Sequence, residues 1–276
     1  CHDLNYGPEA EFGFKMWAEK GCVIAGVSEW HAKMLKRYYD VEAVSLPNGI
    51  YLGRFVETRI VGVTADGWDH RKVPFRCVYA SSADRGLATL LSYWPDILEV
   101  EPEAELHVAY GWETMDRMIA QGRDDLARFK ATMEKRIAET PRVVWRGRLN
   151  QQELAQLYGE SVAWLYPTDF LEVSCISAME AMAGGCVLVA TAAGALMETI
   201  DSAGLLLPGP TTSRPYQKTF QRIALGVLSE MNTQAVYRQK GRERAKELTW
   251  DRAYQRWLEV LEFSSSGRRK EAMLVV

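Results

Sequence analysis

VAWLYPTDFLEVSCISAMEAMAGGCVLVAT, residues 162–191, decides how this chain is read. VAWLYPT (162–168) is an apolar run of the length of one buried strand. The loop DFLE follows, and a helix is predicted from about Ser174–Cys175. Ile, Ala and Met fill that helix, which suits close packing on a sheet, and Gly184–Gly185 ends it. CVLVAT (186–191) is the next strand. Strand, helix and strand in this order form one unit of a parallel sheet.

Two carboxylates stand in the stretch, Glu172 in the loop and Glu180 in the second helical turn. Parallel sheets bind ligands beyond the carboxyl ends of their strands, where Glu172 falls. A buried carboxylate is costly unless donors meet it. A helix start offers unpaired N–H groups and about half a positive charge, which suits phosphate. A ligand with hydroxyls on both sides of a diphosphate satisfies Glu180 and Glu172 together, each bond contributing ~1.5–3 kcal/mol. Ribose, diphosphate and hexose in that order describe a nucleotide-sugar. The spacing also fits a plainer account, in which Glu180 pairs with a basic residue and Glu172 is a solvated loop acid.

Outward from this stretch the alternation continues. GCVIAGVS (21–28) reads as a strand, and Ser28 as the N-cap of the helix EWHAKMLKRYY. VEAVSLPNGI (41–50) reads as a strand stopped by the turn Pro47-Asn48-Gly49, and residues 51–73 as a connection between domains. FRCVYASS (75–82) leads into the amphipathic helix RGLATLLSYWPDIL. AELHVAYGW (104–112) is a strand, followed by one long polar helix over roughly 114–139. RVVWRGRL (142–149) is a strand, and Asn150 caps the next helix. ALMETID is helical, LLLPG (205–209) is a last strand, and helices cover about 213–231 and 233–247. TWDRAYQRWLEVLEF (249–263) is a helix with Trp250, Tyr254, Trp257, Leu258 and Leu261 on one stripe. The tail after Ser264 is polar and ends in the apolar MLVV. The expected fold class is α/β, a mostly parallel sheet with helices on both faces.

Composition narrows the function. Of 276 residues, 47% are hydrophobic and 25% charged, enough for a packed core. A net charge of -3 argues against a general nucleic-acid partner, and runs such as GRERAK (241–246) read as solvated helix faces. Five scattered cysteines without a CxxC pair fit reduced thiols and a cytoplasmic protein. Four distant histidines offer no zinc spacing, and no run is long enough for a transmembrane segment. The chain begins at Cys1, without Met, in what reads as the end of a strand, as expected of a fragment.

Glu172 and Glu180 resemble the E-x7-E signature of retaining glycosyltransferases of the GT-B fold, group 1. GCVLVATAAGALMETI resembles the strand, small-residue loop and glutamate that follow in that family. VYASSADRGLATLLSYWPDI resembles the opening of its donor domain, and WRGRLNQQELAQLYGESVAWLYPT its next strand, helix and strand. SEWHAKMLKRYY and LPNGI resemble the end of its first domain, and TWDRAYQRWLEVL the helix that crosses back to it.

The resemblance implies two Rossmann-like domains. Residues 1–50 would be a remnant of the first, acceptor domain, 51–248 a complete donor domain, and 249–276 the crossover helix and tail. It implies that Glu180 binds ribose and that Glu172 contacts the transferred sugar. Arg85, followed by Gly86, would neutralise the diphosphate. Ser174 and the N–H groups of Cys175 and Ile176 would meet the distal phosphate. Gly147 and Arg148 would face the nucleobase, and His2 would lie near the transferred sugar. The remaining histidines, His31, His70 and His107, are assigned to surface or packing.

The chain departs from the family in two places. Ala80 stands where the family has a second basic residue, so Arg54 or Arg148 is a candidate to replace it. Cys175 stands where glycine is usual, with a small packing role favoured over a thiol of lowered pKa.

The implied activity is retaining transfer of a hexosyl group from a nucleotide-diphosphate sugar to an acceptor hydroxyl, with no cofactor and no metal. The acceptor, a glycan, lipid or protein, is left open, as is peripheral membrane contact through the remainder of the first domain. A non-catalytic nucleotide-sugar binder and a nucleotide-sugar epimerase of the same fold are the alternatives.

Overall fold

Every strand ladder described in this protein runs parallel. A computed structural model describes residues 8–56, 71–266 and 274–275. The chain opens with α1 (Pro8–Glu19), β1 (Val23–Gly26), α2 (Glu29–Tyr39), β2 (Ala43–Ser45) and the short α3 (Gly53–Val56). There follow β3 (Arg76–Tyr79), α4 (Leu87–Val100), β4 (Glu105–Ala109), α5 (Glu113–Ala120), α6 (Asp124–Glu139), β5 (Val143–Gly147) and α7 (Gln151–Glu160). The chain continues through β6 (Ala163–Tyr166), α8 (Ile176–Ala183), β7 (Val187–Thr191), α9 (Leu196–Ile200), a 3-10 turn and β8 (Leu205–Leu207). It closes with α10 (Arg214–Ser229), α11 (Met231–Glu247), α12 (Trp250–Ser266) and β9 (Leu274–Val275).

The strands form two sheets, one ordered β2-β1-β9 and one β5-β4-β3-β6-β7-β8. In the larger sheet the order reverses between β3 and β6. Loops leaving adjacent strands part there and open a crevice, so this is where a ligand site is expected. The elements agree with the expected α/β class. Ser28 caps α2 by accepting from the N–H of His31 at 2.9 Å, and Asn150 and Glu153 form a capping box on α7. The apolar MLVV end supplies β9, which pairs with Val23 and Ile24.

The core of the larger sheet is built on fully buried Tyr79, Trp94, Tyr158 and Trp164. Large side chains of this kind each stabilise by about 1.5–3 kcal/mol when buried. α8 is fixed against it from two sides. α11 packs along α8, with Gly241 facing Met182. The buried ammonium of Lys72 donates to the carbonyls of Tyr158, Ser161 and Gly184 at 3.0, 2.7 and 2.9 Å. It thereby satisfies orphan acceptors at the ends of α7 and α8.

Three expected elements are corrected. The long helix over 114–139 is two helices, α5 and α6. Gly122 adopts φ +94 and the N–H of Arg123 turns back to Met118, which closes α5 before α6 starts. On α12 only part of the expected stripe turns inward: Trp257 and Leu258 are half-buried beside the buried Ala253 and Val260, and Trp250, Tyr254 and Leu261 are exposed. Trp257 and Val260 pack with Ala25 and Leu46 on the smaller sheet, so α12 does cross back to it. The strand expected over 41–50 is limited to β2, and the part of 51–73 that is described holds α3.

The two sheets meet along a short connection. Ile50 bridges Thr249, and Gly49 lies so close to the chain that a Cβ would stand 2.3 Å from the nitrogen of Trp250. On the other side, the carboxylate of Glu198 accepts from the N–H groups of Glu29 at 3.0 Å and Trp30 at 2.8 Å. A carboxylate there meets two orphan donors and the positive end of α2.

Candidate functional site

Two loops face each other across the strand-order reversal, one leaving β3 and one leaving β6. The β3 loop is braced by Tyr79, whose phenol donates to the carbonyl of Ser82 at 2.7 Å. It ends at Gly86, with φ +110, where a Cβ would stand 2.4 Å from the carbonyl oxygen of Pro167. Only glycine lets the two loops touch there. The β6 loop is tied down at several points. The N–H of Thr168 donates to Thr191, and Asp169 accepts from the N–H and hydroxyl of Thr211. The backbone of Glu172 is clamped by the N–H of Ala195, which donates to its carbonyl at 2.6 Å. Gly194, at φ +58, leaves no room for a Cβ beside it.

These constraints fix the two carboxylates differently. Glu172 is buried, so it is not a solvated loop acid. The phenol of Tyr166 donates to its Oε1 at 2.5 Å, and Arg85 Nη1 approaches the same oxygen at 3.5 Å. The guanidinium of Arg85 lies over the ring of Phe170, 4.1 Å from its centre. The hydroxyl of Ser81 is 3.2 Å from that of Tyr166. Glu180, in the second turn of α8, does pair with a basic residue, as the plainer account expected: Arg54 Nη1 donates to its Oε1 at 3.2 Å. Burial pushes the Glu180 carboxyl above its ordinary pKa, and Arg54 opposes that rise.

Between the loops lies a cavity of about 240 Å³. Its wall carries Ser81, Arg85, Glu172, Ser174, Cys175 and Ile176, so the start of α8 opens into it. No side chain caps that helix start. Arg85, the α8 N-terminus and Glu172 are therefore brought together as expected, whereas Glu180 is not on the wall. The hydroxyl of Ser174 accepts from Asn48 Nδ2 at 3.1 Å, which links the site to the turn before the sheet connection.

Arg148 lies apart from the small cavity. It lines a second one of about 360 Å³ with Gly111, Glu113 and Arg117, and its guanidinium is 3.9 Å from Glu113. Gly147 precedes it at φ +62. Tyr110 lines both cavities, and Trp112 stacks on Trp145 nearby, 5.2 Å between ring centres. A further cavity of about 1050 Å³ lies against α1, β1, β2 and α12, away from α8, and its wall mixes the apolar Val23, Ile24 and Val260 with the charged Lys15, Glu19 and Arg256.

Cys175 is buried, in line with the packing role favoured for it over a thiol of lowered pKa. Burial pushes it up to about 12, with the Glu172 charge adding to the rise, so it is an inert packing group. His31 and His107 are buried and packed, His31 accepting from the N–H of Val27 at 3.2 Å. His2 and His70 lie outside the described residues. Among the described residues, no group of three His, Cys, Asp or Glu converges to hold a metal ion, and no helix is long and apolar enough to cross a membrane. Tyr166, Ser81 and Tyr110 were not expected. A phenol hydroxyl ending an otherwise apolar buried strand, immediately before the loop proline, was the signal for Tyr166.

The family model for glycosyl transferases group 1 matches residues 75–219, just over half of the chain. None of the curated proteins matches by sequence. Among solved structures, a glycosyltransferase from Rickettsia africae superposes with a TM-score of 0.70 at 14% identity, covering 96% of this chain and 69% of its own. HepE from Anabaena in complex with UDP-glucose gives 0.68 at 16% identity, covering 95% of this chain and 71% of its own. TarM from S. aureus, in complex with Fondaparinux, alpha-GlcNAc-glycerol and UDP, gives 0.65 at 14% identity, covering 94% and 48%. The chain thus spans about half of TarM and about two thirds of the other two. These likenesses place the fold as GT-B.

Proposed function

The chain belongs to the group 1 glycosyl transferases, and on that footing we propose that it binds a nucleotide-diphosphate sugar at the α8 cavity and serves retaining transfer of its hexosyl group to an acceptor hydroxyl. The observation that carries the proposal is the convergence of the uncapped α8 start, Arg85 and the buried Glu172 on one cavity at the strand-order reversal. The UDP and UDP-glucose bound by TarM and HepE support a nucleotide-sugar as the ligand.

The residues divide the work by position. The diphosphate sits against the N–H groups at the start of α8, whose partial positive charge favours an anion. Arg85 neutralises the charge that grows on the leaving nucleoside diphosphate as the bond to the sugar breaks, an electrostatic role for which no metal is invoked. Stacking on Phe170 keeps that guanidinium in place without consuming all of its donors. Glu172 turns toward the sugar and accepts from its hydroxyls. Glu180 accepts from ribose hydroxyls, and the cavity at Arg148 and Glu113 receives the base.

Calorimetric titration with UDP, GDP, ADP and their sugars tests the assignment. Tight binding of one nucleotide, weakened in Glu180→Ala, is the expected result. Binding of none, with Glu180→Ala unchanged in stability, overturns it. Release of nucleoside diphosphate from the bound donor then separates a transferase from a non-catalytic binder.

A further inference from the structure

Arg54 is the residue that the site description leaves without a task. It lies in α3, just past the Ile50–Thr249 bridge where the chain passes between the two sheets. Its guanidinium reaches Glu180 at 3.2 Å, with the two side chains 21% and 13% exposed. The ring of Tyr51 lies 5.4 Å beneath it. α3 packs on α7, so Arg54 is held by the body of the larger sheet.

The other elements around α8 supply Glu180 with different neighbours. Tyr158 on α7 faces it as a neutral phenol, since burial lifts the phenol well above its ordinary pKa. Arg238 and Arg242 on α11 act on Cys186. Glu198 on α9 is turned to the start of α2. β7 is Val, Leu, Val, Ala and Thr, with no ionisable group. Arg54 is the cation that acts on Glu180 among these described residues.

We propose that Arg54 is a positioning residue for donor binding: it fixes the Glu180 carboxylate as the acceptor for the ribose hydroxyls. The proposal rests on the nucleotide-sugar reading of the site. Without Arg54 the half-enclosed carboxylate has only its burial, which favours the neutral acid. A neutral acid makes a weaker acceptor, because the bond to the hydroxyl is no longer charge-assisted. Arg54 therefore acts through Glu180 and not on the phosphates, which lie at the other end of the first turn of α8. It also ties ribose binding to the segment that joins the two sheets.

The test is calorimetry with whichever of UDP, GDP and ADP the wild-type chain binds most tightly. Arg54→Ala, Arg54→Lys, Glu180→Gln and the double variant Arg54→Ala/Glu180→Gln are compared at about pH 6 and about pH 8.5. Arg54→Ala is expected to weaken binding about tenfold at the lower pH, and less at the higher, where the unpaired carboxyl ionises again. Arg54→Lys is expected to restore most of the loss. The double variant is expected to bind no worse than Glu180→Gln alone, since Arg54 then has nothing to act through. A loss equal at both pH values and fully additive with Glu180→Gln overturns the proposal and makes Arg54 a phosphate contact. Unchanged binding in Arg54→Ala also overturns it. If the wild type binds no nucleotide, the donor reading itself has failed. Thermal melts of each variant show whether the fold is intact, and Arg54→Lys carries the comparison if Arg54→Ala unfolds.

Discussion

The phenol of Tyr166 and the carboxylate of Glu172 share a hydrogen bond of 2.5 Å inside the β6 loop. Both groups are buried, and each is the other's closest polar contact among those described. The bond holds Glu172 toward the strand end, beside Arg85, at the mouth of the α8 cavity. Tyr166→Phe keeps the ring and removes the donor. It is expected to cost about 1–3 kcal/mol, because a buried acceptor loses its main partner. Urea unfolding reads this directly, as a lower midpoint with the slope unchanged. A change below about 0.5 kcal/mol would mean that the other contacts of the carboxylate, Arg85 among them, satisfy it without the phenol.

Glu180 carries a cost of burial that the proposed ribose contact would explain. Its carboxyl is raised by burial, so its folded pKa lies above its unfolded pKa. The native state therefore holds a proton more tightly, and the stability contributed by this group falls as pH rises from the unfolded value through the folded one. Glu180→Gln removes that burden. It is expected to be more stable than wild type at neutral pH, with the gain vanishing below the ordinary carboxylate range. The same variant is expected to bind nucleotide more weakly, as in other sites where stability is given up for function. Thermal melts across pH, set beside nucleotide titration, check both halves. A variant that is less stable than wild type at neutral pH would show that the Arg54 pair outweighs burial.

Glu172 and Glu180 are expected to separate in kinetics. Glu172→Gln should bind the nucleotide within about threefold of wild type but release nucleoside diphosphate from the donor about 10²–10³-fold more slowly, as for loss of one transition-state contact. The converse pattern, weak binding with unchanged turnover, would exchange the roles of the two acids.

The strand and helix pattern was legible because buried parallel strands are short apolar runs and their helices carry caps such as Ser28 and Asn150. The place of Glu172 on the cavity wall was legible from its position after a strand. The misreadings share one cause, which is that periodicity describes an isolated element. The stripe of α12 is real in sequence, but of its members only Trp257, together with Val260, packs against Ala25 and Leu46, while Trp250, Tyr254 and Leu261 stay exposed. The break at Gly122 was hidden because one glycine is tolerated in a helix unless the chain must turn. Tyr166 and Arg54 act through contacts 6 and 126 residues away in sequence. No local pattern encodes the second of these. It depends on how the connection after Ile50 lands on α8.

Gly194 tests how tightly the Glu172 backbone is held. It adopts φ +58, and a Cβ there would meet the carbonyl oxygen of Glu172 at 2.4 Å and its nitrogen at 2.7 Å. Both atoms are backbone and cannot swing aside. Gly194→Ala is expected to destabilise by more than about 1 kcal/mol, since strain at positive φ and the clash add. It is also expected to slow donor turnover, because the loop can relieve the contact only by moving Glu172. An alanine variant with wild-type melting and turnover would show that the β6 loop shifts freely.

The contact of Glu198 with the start of α2 predicts how the two sheets are held together. Both carboxylate oxygens are used, one on the N–H of Glu29 and one on that of Trp30. Glu198 is itself held from behind, since Arg244 donates to its carbonyl at 2.8 Å and to that of Thr199 at 3.2 Å. Capping by a carboxylate across a tertiary contact combines two hydrogen bonds with the dipole of α2, worth about 1–2 kcal/mol together. Glu198→Ala is expected to lose that amount and to leave the N–H groups of Glu29 and Trp30 to water. Glu198→Gln keeps one acceptor and loses the charge, so it should retain about half. Amide hydrogen exchange at Glu29 and Trp30 is the direct measurement: protection in the wild type, intermediate in Glu198→Gln, and lost in Glu198→Ala. Equal protection in all three would place the stability of this junction in the Ile50–Thr249 bridge and the close approach of Gly49 to Trp250.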